Sequence, residues 1–102
     1  MSYSICETYE SIDLDDPTYV GFNYIIADAV NENIEILLPE SVWDGFVITI
    51  IREDVSATYT CTITAKTGTT IANTTSILLD HKQSVELVNF NTNWIAPIIN
   101  LV

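Results

Sequence analysis

The chain has 102 residues, a net charge of −11 and a hydrophobic share of 48%, which fits a single domain with one modest core. Its 14 acidic and 3 basic residues argue against nucleic acid and against anionic membrane surfaces as partners, because both bind Lys and Arg. No apolar run approaches the ~20 residues of a membrane-spanning helix. The N-terminus lacks the basic and apolar parts of a signal peptide, so we expect none.

The first 17 residues are polar and acidic, and they predict an N-terminal arm in front of a single β domain at residues 18–102. Asp13, Asp15 and Asp16 precede Pro17, and clustered Asp with Pro disfavours a regular element. Within the arm, residues 3–6 are expected to form at most a short strand. The three aspartates suit calcium, but they lack the glycine and final glutamate of an EF-hand loop. We therefore favour a solvated acidic arm.

Short alternating segments separated by turn residues fill the rest of the chain. Residues 19–28 are aromatic and β-branched, which is typical of a strand, and their apolar side chains fall on both faces, so both faces are expected to be covered. Strict alternation elsewhere predicts which side chains face the core. The predicted core residues are Ile25, Ile34, Ile36, Ile48, Ile50, Tyr59, Ile63, Val85 and Leu87.

The C-terminal segment predicts a hairpin followed by an apolar tail. Asn tolerates the left-handed backbone of tight turns, so residues 91–93 are expected to turn the chain and let Trp94 begin a returning strand. An exposed apolar tail usually marks an interface. Trp94, Ile98, Ile99 and Leu101 are therefore predicted to lie at a subunit contact, although packing onto the chain's own core is nearly as well supported.

Predicted strands recur every ~8–12 residues, and no segment has sustained helical periodicity. This spacing predicts an all-β fold, a small antiparallel β-sandwich or β-prism-like domain of about seven to nine short strands.

The order of these pieces resembles a β-rich module that recurs in bacteriophage tail and fibre proteins and in other viral structural proteins. The resemblance rests on a strand ending in Leu-Pro, an Ile-Thr-Ile strand led by Gly45 and followed by the basic Arg52, a Gly-x-x-Ile turn, and a final Thr-Asn-Trp. It covers about residues 18–96, with Asn91 where the pattern has glycine. The segments concerned are residues 24–28, 34–39, 44–51, 60–63, 68–71, 84–88 and 91–94.

No residue pattern points to catalysis or to a cofactor. His81, the one histidine, falls in a predicted polar turn without a second group to position it. Cys6 and Cys61 leave two states open, a disulfide or two reduced thiols, and we favour the thiols.

The sequence therefore predicts a non-enzymatic viral structural or surface module without cofactor. The resemblance favours a homo-oligomer, most simply a trimer, and so does the hydrophobic share of 48%, which is high for a small monomer. We expect the protein in the virion or the host cytoplasm, with other virion or host proteins as further partners. One alternative is a module that binds a protein or a glycan through exposed aromatic residues, with Trp43 and Trp94 as candidates, or through its acidic surface. Another is a small hydrolase that uses two carboxylates, although the sequence singles out no such pair.

Overall fold

The computed structural model describes residues 4–40 and 42–101, and for residues 4 and 97–101 it describes the backbone alone. The described chain is all-β, as predicted, with one short 3-10 turn at Pro17–Tyr19. No helix in these two ranges is long and apolar enough to cross a membrane. The strands are β1 Ser4–Thr8, β2 Ile12–Asp13, β3 Phe22–Ala27, β4 Ile34–Leu37, β5 Val47–Arg52, β6 Cys61–Thr64, β7 Ser76–Leu79, β8 Gln83–Phe90 and β9 Asn93–Leu101.

Two mixed sheets contain these strands. The five-stranded sheet has the order β1-β3-β5-β8-β9, and the four-stranded sheet has the order β2-β4-β6-β7. From β1 to β6 each strand lies in the other sheet from the strand before it, so the chain winds between the two layers. Neighbours within this winding part are parallel, whereas β7, β8 and β9 pair antiparallel.

The predicted antiparallel arrangement is therefore wrong for the first six strands, although the strand number agrees with the prediction. Alternation with a period of two shows which face a side chain occupies, but it does not show which strand lies beside it. Parallel neighbours need a long crossover. Here the crossover from β3 to β5 is β4 in the opposite sheet, so the turn spacing resembles that of an antiparallel fold.

The predicted boundary after residue 17 also differs from the described structure. Strand β1 pairs with β3, and β2 pairs with β4, so residues 4–8 and 12–13 belong to the two sheets. Ile12 and Leu14 are each 5% exposed and belong to the hydrophobic core. Because Ile12 and Leu14 are isolated among acidic residues, the sequence pattern did not predict that they are buried.

One hydrophobic cluster contains residues from both sheets. Eight of the nine predicted core residues are buried at 0–1% exposure, and the ninth, Tyr59, is half-buried against the cluster. The predicted alternation in β4, β5, β6 and β8 is thus confirmed.

A buried ion pair ties the end of β5 to the other layer. Arg52 Nε and Nη2 each donate to the Asp54 carboxylate at 3.1 Å, and Nη1 donates to the carbonyl of Leu79 in β7 at 2.9 Å. Asp54 also accepts from the backbone N–H groups of Ala29 and Ser56. Burial favours a higher pKa for Asp54, but the hydrogen bonds from Arg52 and the two amides outweigh it, and the pKa is lowered. Arg52 and Asp54 thus form a buried clamp between the two layers.

The predicted hairpin at Asn91 is confirmed. Asn91 and Thr92 both have positive φ, 54° and 67°, as a two-residue turn of the primed type requires. Strand β9 then returns along β8 as the edge strand of its sheet. The register shifts beside Pro97, which fits proline's preference for sheet edges.

Candidate functional site

The outer face of the five-stranded sheet is unusually apolar. Successive side chains of a strand point to opposite faces, so the residues between the buried positions form this face. Ile26, Ile51 and Ser84 lie opposite one another across β3, β5 and β8, and Val47 lies opposite Val88. We name this surface the apolar face. Its described apolar members are Ile5, Tyr24, Ile26, Val47, Ile51, Val88, Phe90 and Ile95.

Several side chains of the apolar face are open to their surroundings. Ile5, Phe90 and Ile95 are 52%, 59% and 47% exposed, and the members on the central strands are half-buried. Glu7 and Glu86 are the charged residues that alternation places on this face. It is therefore a low-charge surface on a chain whose net charge is −11.

An apolar groove of about 270 Å³ lies at one end of the molecule, between two loops. The first loop contains the 3-10 turn, which Asp16 caps by accepting from the N–H of Thr18. The second loop connects β4 to β5. Leu14 and Ile48 lie at the base, where the groove meets the core. Its other lining residues are Asp15, Tyr19, Val20, Gly21, Phe22, Pro39, Val42, Trp43 and Phe46.

Trp43 is the most exposed aromatic residue of this groove. The residue is 71% exposed, and its ring meets the ring of Phe46 edge to face, with 4.9 Å between the centroids. The N–H of Phe46 donates to the carbonyl of Trp43 at 3.2 Å, and Gly45 between them has a φ of +86°. Because glycine enters this region at no steric cost, Gly45 permits the turn that presents Trp43.

Carboxylates border the groove. Asp15 lines it and accepts from the N–H of Glu40 at 2.9 Å, and Asp44, next to Trp43, accepts from the N–H of Asn91 at 2.9 Å. Lys66 donates to Asp15 at 2.9 Å and to both oxygens of Asp13. The hydrogen bond from Lys66 is the main reason that the pKa of Asp13 is lowered, and the bonds to Asp15 and Asp13 raise the pKa of Lys66.

The structure separates the residues that the sequence proposed for a subunit contact. Trp94 is 2% exposed within its own chain, so its side chain offers little surface to a partner. The backbones of Ile98, Ile99 and Leu101 pair with Glu86, Val85 and Gln83. Their side chains lie outside what the structure describes.

The other candidates for chemistry remain apart. His81 lies exposed in the turn before β8, as predicted. Cys6 and Cys61 are free thiols, and burial raises the pKa of Cys61 to about 11. Within residues 4–40 and 42–101, no three His, Cys, Asp or Glu side chains are grouped closely enough to hold a metal ion.

Sequence reasoning identified only part of these two surfaces. The apolar side chains on both faces of residues 19–28 were a sign of the apolar face. The groove gave no comparable signal, because its two loops are separated in the chain and meet only through the sheets. A scan against protein-family models finds no matching family, and a search of curated proteins finds no similar sequence.

Proposed function

We propose that this protein is a non-enzymatic structural or surface module of a virus that assembles as a homo-oligomer, with a trimer favoured. The observation that carries the proposal is the apolar face. Parallel strands with apolar residues on both sides are typical of sheets that are covered on both sides. In a single copy, only one side of this sheet faces the core.

A second copy of the chain is the simplest cover for the apolar face. Obligate homo-oligomeric contacts resemble a domain core that has been divided in two. Copies with a charge of −11 repel one another, so association requires a surface with few charges. The apolar face meets this requirement, and salt should strengthen association by screening the remaining repulsion.

The proposal implies a layered assembly. We infer that the two sheets form a β-sandwich around the shared cluster and that a further copy packs on the outside of the five-stranded sheet. Strand β9 at the edge of that sheet would bring Ile98, Ile99 and Leu101 close to such a contact. The protein would be located in the virion or the host cytoplasm, and no cofactor is part of the proposal.

Light scattering of the purified chain over a range of concentrations tests the assembly. We expect a stable oligomer of a single size at micromolar concentration. We also expect deletion of residues 98–102 to shift it toward monomer or aggregate, because the deletion shortens the edge strand. A monodisperse monomer would overturn the proposal. An unchanged oligomer with unchanged thermal stability after the deletion would remove the tail from the contact.

A second candidate function is a binding module for a protein or a glycan partner. The exposed Trp43 and its groove favour this function, because amphipathic aromatic rings are common at binding sites. Blank results from both a glycan array and a pull-down would remove its support.

A further inference from the structure

We propose that the groove beside Trp43 binds a segment of another protein in which Lys or Arg residues alternate with large apolar residues. This inference rests on the second candidate function and names the partner chemistry for that site. It is independent of assembly through the apolar face, since Tyr19, Trp43 and Phe46 lie at the end of the molecule.

The lining of the groove accounts for the apolar part of the partner. Trp43 and Val20 are both 71% exposed on its two walls, while Leu14 and Ile48 at the base are buried in the core. An apolar side chain that enters between the walls would cover these exposed surfaces. Aromatic residues in such positions commonly contribute much of the binding energy at protein interfaces.

The border of the groove accounts for the basic part. Asp15, Asp16, Glu40 and Asp44 are all exposed and lie on, or next to, residues of its two loops. Their described hydrogen bonds use some of the carboxylate oxygens, and a carboxylate has further acceptor sites. Cationic side chains that flank an apolar anchor would meet this border.

The cations of the chain neutralise only part of this border. Arg52 is buried with Asp54, and Lys66 pairs with Asp15 of the border and with Asp13, so the described ion pairs leave Asp16, Glu40 and Asp44 without a cation. Lys82, the third basic residue of the chain, lies in the turn before β8. The groove lies near the other end of β8, where the backbone of Asn89 bonds to Gly45 and Phe46.

The length of β8 places Lys82 roughly 20 Å from that end, which exceeds the screening length of about 8 Å at physiological salt. A second copy of this chain would bring more negative charge to the border, whereas a basic segment of a different protein is complementary to it. Charge complementarity of this kind also increases the rate of association.

The test uses the full chain and short synthetic peptides. The probe peptide alternates lysine with leucine and phenylalanine. One control peptide has glutamate in place of lysine, and another has serine in place of the apolar residues. A set of neutral oligosaccharides forms a separate arm. Binding is measured by calorimetry and by protection of tryptophan fluorescence from acrylamide, to which the exposed Trp43 responds and the buried Trp94 does not.

We expect the probe peptide to bind and to protect Trp43, with weaker binding at high salt, while neither control peptide binds comparably. Trp43→Ala should weaken binding at least about tenfold, as loss of an aromatic anchor does. Val55→Ala is the matched control, because Val55 is 69% exposed but lies beyond the opposite end of β5. It should leave the affinity unchanged.

The remaining outcomes overturn the inference in distinguishable ways. Equal binding of the lysine and glutamate peptides, or no effect of Trp43→Ala, would contradict the proposed partner chemistry. Protection of Trp43 by neutral oligosaccharides alone would sink the basic-peptide inference but would retain a binding function for the groove. If nothing protects Trp43, both fail.

Discussion

The outer faces of the two sheets differ in a way that their shared architecture does not require. Both sheets begin with parallel strands from the winding part of the chain, and both pack their inner faces into one cluster. The outer face of the five-stranded sheet carries Ile26, Val47, Ile51 and Val88. On the four-stranded sheet the corresponding positions carry mainly acids, threonines and serine, namely Asp13, Glu35, Thr62, Thr64 and Ser76, with Leu37 and the exposed Leu78 as the apolar exceptions.

This difference shows which surface is adapted to water. Thr64 donates to Glu35 at 3.0 Å on the four-stranded sheet, and Lys66 bonds to Asp13 at its edge. These are the contacts of a solvated face, where alternation of apolar and polar residues is the rule. The apolar face breaks that rule across neighbouring strands, as a face that packs on the proposed partner surface would.

The largest expected effect comes from breaking the clamp that holds the two layers together. Asp54→Asn removes the charge that pairs with Arg52, whose side chain is 4% exposed, and leaves a buried guanidinium unpaired. Loss of one partner of a buried pair costs about 3–5 kcal/mol. Urea unfolding should show this loss. Glu53→Gln is the matched control, because it removes the same charge from the exposed neighbouring residue and should change stability little.

The pH dependence of stability provides a second test of the same variant. The pKa of Asp54 is lower in the folded state. Its contribution to the free energy of unfolding is therefore present above the unfolded pKa of about 4 and is lost as pH falls through the folded pKa. The wild-type chain should thus lose this stability in acid, and Asp54→Asn should show a shallower acid limb. Parallel acid limbs for the two proteins would contradict the assigned role.

The next effect tests the two outer faces directly. Ile51→Lys and Thr62→Lys place the same charge at the centre of the apolar face and of the four-stranded sheet's outer face. The added Lys reduces the repulsion between acidic copies in both variants. A difference in oligomer size between the two variants would therefore come from contact of one face with a partner surface. We expect Ile51→Lys to become monomeric, since burial of one such side chain contributes about 1.5–3 kcal/mol, and Thr62→Lys to keep the wild-type size.

Light scattering measures both variants, and circular dichroism checks that each remains folded. An Ile51→Lys protein of wild-type size would show that the apolar face is not the contact. Dissociation of both variants would show that the two outer faces are equivalent in assembly and would contradict the assignment of the contact to the apolar face alone.

The contrast also explains which parts of the structure the sequence could predict. Alternation in Ile34 and Ile36, or in Val85 and Leu87, depends on neighbours along one strand, and it was sufficient to identify the core face. The left-handed turn at Asn91 is equally local. Strand partners depend on contacts between distant segments, so the parallel winding was not predictable from the same pattern.

The missed features share this non-local origin. Arg52 reads as a surface charge until β7 supplies the carbonyl of Leu79. Ile12 and Leu14 read as part of a solvated arm until β4 lies beside them. The groove forms only where the two loops meet in the folded chain. The sequence around Trp43 does not show whether that side chain is exposed, as it is here, or buried, as Trp94 is.

The smallest expected effect concerns the ion pairs at the edge of the four-stranded sheet. Lys66 Nζ lies 2.9 Å from both Asp13 and Asp15, and the side chains of these residues are 21%, 44% and 38% exposed. Solvent screens pairs with this exposure, so Lys66→Met should cost only about 0.2–1 kcal/mol. The same change should raise the pKa of Asp13, because the hydrogen bond from Lys66 is the main cause of its lowering. Urea unfolding and an NMR titration of Asp13 measure the two effects. A loss of stability as large as that of Asp54→Asn would show that this edge is clamped like the core and would contradict its description as a solvated surface.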